Sequence, residues 1–162
     1  MNRYEEGVKI IEERCGNGID NLISVATIAV EPAEDGSPRP YTREVDAHYE
    51  DGVFYSVTWG KSAKIEQIGV NNRAAFTVCS KWITGSGTAE NLGWVLKPEN
   101  AEIRAKLRKT FAEWYDFAND ESNENCVIMA VRIKNAIVVV DHGVDRFYLD
   151  FVNKTEGEIP PR

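Results

Sequence analysis

Histidine and cysteine are scarce in this chain of 162 residues, which has two histidines and three cysteines. The cysteines, Cys15, Cys79 and Cys126, are odd in number and far apart, so they predict reduced structural thiols rather than a disulfide framework. Zinc sites usually show short Cys and His spacings, and the sequence has none. We therefore expect no metal site.

Basic charge and long apolar segments are also lacking. The chain has 19 Lys and Arg against 26 Asp and Glu, and the resulting net charge of -7 disfavours binding to a nucleic-acid backbone. No apolar run approaches the roughly 20 residues that cross a bilayer, and residues 1–6 lack the apolar segment of a signal peptide. These absences predict a cytoplasmic protein that binds neither nucleic acid nor membrane.

What the sequence does contain is a succession of strand patterns with few helices between them. The length suits one domain, which we expect over 1–152, followed by a flexible tail at 153–162. Predicted helices cover residues 1–15, a short segment after Ser62, and a long stretch from Pro98 to Ala118. Predicted strands cover 21–30, 39–49, 53–59, 74–79, 82–94, 126–133, 136–141 and 147–152, the sixth and seventh joined by a turn at Lys134 and Asn135. This order predicts an α+β fold, an antiparallel β-barrel of six or seven strands with flanking helices.

Two basic elements stand out as candidates for binding an anion. Arg43 lies on the more apolar face of its strand, where an unpaired guanidinium is costly to bury. The segment 58–64, Thr-Trp-Gly-Lys-Ser-Ala-Lys, places hydroxyl and ammonium groups where a strand meets a helix N-terminus, a position that suits phosphate. Ordinary ion pairing of Arg43 and simple capping by Ser62 are the structural alternatives.

The stretch from Arg43 to Asn72 resembles the pyridoxamine 5′-phosphate oxidase family, also called the FMN-binding split barrel. The resemblance lies in an R-x-V strand, a hairpin, an apolar strand ending in Thr, and then S-x-K. It implies a split barrel and a homodimer with FMN at the subunit interface. Two features depart from the oxidase itself: Ala63 replaces a second arginine, and the C-terminal Trp and Arg motif for pyridoxamine phosphate is absent.

The resemblance also implies roles for individual residues. Arg43, Ser62 and Lys64 would bind the FMN phosphate. The other implied contacts are with the flavin ring or ribityl chain: the backbone of Arg43, Glu44, Val45 and Asp46, the side chains of Val57 and Thr58, and Trp82 from the second subunit. No catalytic residue is implied, because the flavin carries the redox chemistry.

The leading hypothesis is an FMN-dependent oxidoreductase that acts on a small molecule and takes electrons from a reduced nicotinamide or another small donor. A second hypothesis is a binding or storage module for flavin or haem, with His48 or His142 as an iron ligand. A third is an interaction domain whose four tryptophans are core residues.

Overall fold

A computed structural model describes residues 1–157 of the chain. The helices are α1 (Arg3–Cys15), α2 (Ala63–Val70), α3 (Ala101–Thr110) and α4 (Tyr115–Ala118). The strands are β1 (Asn21–Ile28), β2 (Pro40–Glu50), β3 (Val53–Trp59), β4 (Arg73–Val78), β5 (Ile83–Trp94), β6 (Cys126–Val140), β7 (Asp145–Asp150) and β8 (Thr155–Glu156). None of the helices in this range is long and apolar enough to cross a membrane.

Six of the strands close into a barrel in the order β1-β2-β3-β6-β5-β4, and every neighbouring pair is antiparallel. Strands β7 and β8 extend the sheet outward from β6. Because alternate side chains point inward, the barrel encloses an apolar core, in which the rings of Phe54 and Phe76 are 5.2 Å apart. The predicted α+β antiparallel barrel is confirmed.

Strand β6 is continuous, so the predicted hairpin at Lys134 and Asn135 is wrong. On one edge of β6, the first half pairs with β3 and the second half pairs with β7. On the other edge, β6 pairs with β5 along most of its length. Lys134 is the extra residue of a bulge opposite Ser86 and Gly87. The two polar residues therefore mark a bend at which β6 changes partners, and not a reversal of the chain.

The predicted long helix from Pro98 to Ala118 is also divided. A short 3-10 turn precedes α3, and the chain leaves helical geometry after Thr110 before α4 begins. Burial of aromatic side chains explains the break: Phe111 and Tyr115 are buried against the outside of the barrel, and the rings of Phe111 and Trp114 stack 4.6 Å apart. This segment covers the outer face of β2 and β3, a position that matters for the site.

Helix α1 begins with a capping box in which Asn2 and Glu5 exchange hydrogen bonds, and it packs on β7. Arg3 forms ion pairs with Asp145 at 2.8 Å and with Glu156 at 3.4 Å. Part of the predicted tail is therefore paired with the sheet, because Thr155–Glu156 form β8, which pairs with β7. The rest of that tail, 158–162, lies outside the described residues.

Candidate functional site

The barrel splits where β2 and β3 stop pairing. These strands are joined by only three residue pairs, His48 with Tyr55, Tyr49 with Phe54, and Glu50 with Val53. Beyond them β2 remains paired with β1, and β3 remains paired with β6. The facing edges of β2 and β3 therefore carry backbone groups with no partner strand, and a cleft of about 490 Å³ opens beside them.

Most of the predicted cofactor-binding residues line this cleft: Glu44, Val45, Asp46, Val57, Thr58 and Lys64. Its volume is in the range of about 300–1,000 Å³ that small-molecule sites occupy. The other predicted residues, Arg43, Ser62 and Trp82, do not line it. Helix α2 nevertheless connects them to the same region, because Arg43 donates to Gln67 of this helix and Ser62 immediately precedes it.

Arg43 is held by a buried polar network beside the cleft. Its guanidinium donates to Thr27 Oγ1 at 2.5 Å and to Gln67 Oε1 at 2.9 Å, and Thr27 in turn donates to Gln67 at 2.5 Å. Thr27 and Gln67 are 1% and 6% exposed. Because all these partners are neutral, the network orients the guanidinium without cancelling its charge, and burial lowers the pKa of Arg43.

Lys64, in the first turn of α2, brings a second cation to the same place. Its ammonium donates to Thr58 Oγ1 at 2.8 Å. Burial lowers the pKa of Lys64, and the nearby positive charge of Arg43 lowers it further. Ser62 precedes α2 but makes no capping bond, and its Oγ is buried with no hydrogen-bond partner among the described residues.

No carboxylate within residues 1–157 forms an ion pair with Arg43 or Lys64. Two partly buried cations thus repel each other beside a helix N-terminus and a free hydroxyl. Such an arrangement is costly unless an anion neutralises it. The residues present therefore fit a phosphate group, and the ion-pair and capping alternatives do not describe this region.

No sequence pattern indicated the opposite wall of the cleft. This wall comes from the segment around α4, which contributes Trp114, Ala118, Asn119 and Asp120. The stripe of apolar residues predicted a plain core helix there, because contact with β2 and β3 depends on the break after α3. Gln67 was also missed, since a neutral amide on a helix carries no charge signature.

The remaining candidate side chains lie elsewhere. Trp82 is 58% exposed, has a left-handed backbone (φ 58°), and meets the ring of His142 edge-on at 6.3 Å. His48 is buried under α3, where its Nδ1 is 2.8 Å from Thr110 Oγ1. Neither histidine lines the cleft.

Comparison of the sequence with protein-family models finds no match, and comparison with curated proteins finds none either. Solved structures do match. A haem-binding protein from Mycobacterium smegmatis aligns with 95% of this chain at 14% identity and a TM-score of 0.64, and the chain spans 60% of that protein's length. An FAD-binding protein from Mesorhizobium loti aligns over 82% of this chain and 90% of its own, at 18% identity and a TM-score of 0.58.

A third structure is a pyridoxamine 5′-phosphate oxidase-related, FMN-binding protein from Nostoc punctiforme. It aligns with 91% of this chain and 86% of its own at 12% identity, with a TM-score of 0.55. At these identities the comparisons concern the fold. They agree with the antiparallel barrel and with the resemblance noted in the sequence. The chain therefore has the split-barrel fold of the pyridoxamine 5′-phosphate oxidase-related proteins.

Proposed function

We propose that this chain is a flavoprotein that binds FMN in the cleft between β2, β3 and α4, with the phosphate held by Arg43, Lys64 and Ser62. One observation carries the proposal: within residues 1–157, two neighbouring cations have no carboxylate partner, and the buried hydroxyl of Ser62 at the start of α2 has no hydrogen-bond partner. The FAD- and FMN-binding proteins of the same fold support it.

The charge distribution favours FMN over FAD. The two cations match the double negative charge of one terminal phosphate. The other charged residues that line the cleft are acidic: Glu44, Asp46 and Asp120. A second phosphate in this cleft would have no further cation among the lining residues and would be repelled by these carboxylates.

The free edges of the split suit the planar ring. Unpaired backbone groups of β2 and β3 supply donors and acceptors to the ring edge, while Val57 and Trp59 supply apolar surface. The roles of Glu44, Val45, Asp46 and Thr58 as lining residues follow from the same placement. When bound, the flavin would supply hydride or single-electron chemistry, and the chain would supply orientation and exclusion of water.

Titration of flavin fluorescence tests this assignment. We expect the wild type to bind FMN, and we expect Arg43→Ala and Lys64→Ala each to raise the Kd about tenfold or more, since charge-assisted bonds to phosphate are strong. Exposed cations provide matched controls: Lys61→Ala, three residues before Lys64, and Arg39→Ala, near the start of β2, should leave the Kd within about twofold. Unchanged affinity in both test variants would refute the site.

Turnover distinguishes an enzyme from a carrier. We propose an oxidoreductase that acts on a small molecule and is reduced by a nicotinamide or another small donor. Steady consumption of NADH or NADPH by the FMN-loaded protein supports the enzyme. Bound flavin that no donor reduces at a useful rate supports the storage module.

Haem is the second candidate, because a haem-binding protein shares the fold. The placement of the histidines argues against it: His48 is covered by α3, and His142 is outside the cleft. An absorption spectrum of the purified protein separates the two, since flavin and haem have distinct bands. A Soret band without flavin peaks would favour haem.

We also propose a homodimer with the flavin at the subunit interface. Trp82 supports this arrangement, because a largely exposed indole on a left-handed backbone is outside its own cleft and is free to meet another subunit. Sedimentation should give the mass of two chains. Trp82→Ala should raise the fluorescence of bound flavin by removing a quenching indole, whereas Trp82→Phe should raise it less.

A further inference from the structure

A second carboxyl group lies next to one that lines the cleft. Leu22 of β1 pairs with Asp46 of β2. Asp20 is two residues before Leu22, so it is the diagonal neighbour of Asp46 on the same face of the sheet. Asp46 lines the cleft, and Asp20 is near enough to influence the ionisation of its carboxyl group. Both residues are exposed to solvent.

Asp20 is fixed in this position by the opposite wall. Trp114 Nε1 donates to Asp20 Oδ2 at 2.9 Å, and Trp114 itself stacks on Phe111. Asp20 therefore cannot turn away from Asp46 without breaking its bond to Trp114. The two carboxyl groups are kept close by the fold.

The surroundings disfavour two negative charges here. Burial raises the pKa of Asp46, and the adjacent Asp20 raises it further. The other charged groups that line the cleft are Glu44 on β2, Asp120 after α4 and Lys64 on α2. Among these lining groups Lys64 is the cation that favours ionised carboxylates, Arg43 lies beside it, and a bound phosphate would neutralise both.

We propose that Asp46 and Asp20 form a carboxyl pair that takes up one proton when a flavin fills the cleft, so that Asp46 presents an O–H to an acceptor atom of the ring. The inference rests on the proposed function. The ring excludes water from Asp46, the phosphate cancels the charge of Lys64, and Asp20 remains beside Asp46. All three effects favour one shared proton over two ionised carboxylates.

Calorimetric titration with FMN tests the inference without measuring turnover. The number of protons taken up on binding is obtained by repeating each titration in buffers of different ionisation enthalpy, at about pH 5 to 7, above the ordinary Asp pKa of about 3.9. Asp46→Asn and Asp20→Asn are the test variants, since asparagine has nearly the same shape and can still accept the bond from Trp114. Glu44→Gln is the matched control, a carboxyl group that lines the same cleft on the same strand.

We expect the wild type and Glu44→Gln to take up as much as one proton more than the two test variants. The FMN Kd of the wild type should then rise with pH more steeply than that of Asp46→Asn, by up to about tenfold per pH unit. The second ionisation of the phosphate, near pH about 6, contributes equally to all variants.

Equal proton uptake in the wild type and both test variants would overturn the inference and leave FMN binding intact. Absence of FMN binding by the wild type would overturn the proposed function and the inference together. If Asp46→Asn fails to fold, Asp20→Asn decides, because it removes the neighbouring charge and leaves the cleft lining unchanged.

Discussion

The guanidinium of Arg43 on β2 donates to the side-chain oxygen of Gln67 on α2 at 2.9 Å. This bond orients the guanidinium toward α2, the helix that also carries Lys64. It does not neutralise the guanidinium charge, because the partner is a neutral amide. Gln67 occupies a position where a purely structural partner of an arginine would be a carboxylate. Because Gln67 is neutral, the charge of Arg43 remains available to an anion.

The neutrality of the side chain at position 67 should therefore be required for tight binding of the ligand. We expect Gln67→Glu to raise the Kd for FMN about tenfold or more, because the new carboxylate would pair with Arg43 and repel the phosphate. The free energy of unfolding without ligand should stay the same or increase, since the new ion pair is partly buried. Fluorescence titration and urea denaturation measure the two quantities.

Val70→Glu is the control for an added negative charge on the same helix, since Val70 is 70% exposed at its end. It should change the FMN Kd by less than about threefold. Equal effects of the two substitutions would mean that general charge, and not the bond to Arg43, determines the affinity.

Glu121 should stabilise the segment that forms the α4 wall. Its carboxylate accepts hydrogen bonds from Arg104 and from Arg108, the latter at 3.1 Å. Glu121→Gln should lower the free energy of unfolding by about 1–3 kcal/mol at neutral pH, because it leaves Arg104 without its charge partner and Arg108 with Asp116 alone. Glu90→Gln, in an exposed pair with Arg132, should cost less than about 0.5 kcal/mol in the same urea assay.

The contribution of Glu121 should depend on pH in a defined direction. The bond from Arg104 above all lowers the pKa of Glu121 from 4.5 to about 2. The stabilisation is therefore complete above pH 4.5, and it decreases as the pH falls toward 2. A difference between wild type and Glu121→Gln that persists undiminished at the lowest accessible pH would contradict this.

His48 should destabilise the fold in mild acid. Burial lowers the pKa of His48 from 6.5, so the unfolded chain binds a proton more readily than the folded chain. The free energy of unfolding should decrease as the pH falls below about 6.5. In His48→Gln this part of the decrease should disappear, whereas His142→Gln, at an exposed position, should retain it. Identical pH profiles for the wild type and His48→Gln would show that His48 is not responsible.

Glycine should be required at the bend of the barrel. A Cβ at Gly87 would collide with the carbonyl oxygen of Arg132, a backbone atom that cannot move aside alone. We expect Gly87→Ala to lower the free energy of unfolding by more than about 2 kcal/mol. Gly69→Ala, in α2 with open space around it, should instead stabilise the protein by up to about 1 kcal/mol in thermal denaturation. A neutral Gly87→Ala would refute the close approach.

Local patterns predicted the barrel strands well, because alternation and tight turns are properties of neighbouring residues. The same reasoning failed at Lys134 and Asn135, where a bulge and a turn have the same composition and only the pairing partners distinguish them. It also failed after Thr110, because an apolar stripe is compatible with both one helix and two, and the break is seen only where Phe111 and Tyr115 pack on the barrel. Arg43 and Lys64 were predictable as charges, whereas the Asp20–Asp46 pair depends on the register between β1 and β2.

The continuity of β6 links the whole molecule mechanically. One uninterrupted strand is hydrogen-bonded to β3, β5 and β7, so neither the barrel nor the outer ribbon of β7 and β8 can open without breaking bonds to it. Backbone amides in the middle of β6 should exchange their hydrogens with solvent only when the entire chain unfolds. In an exchange experiment, the strands beside the cleft and the ribbon of β7 and β8 should therefore lose protection together.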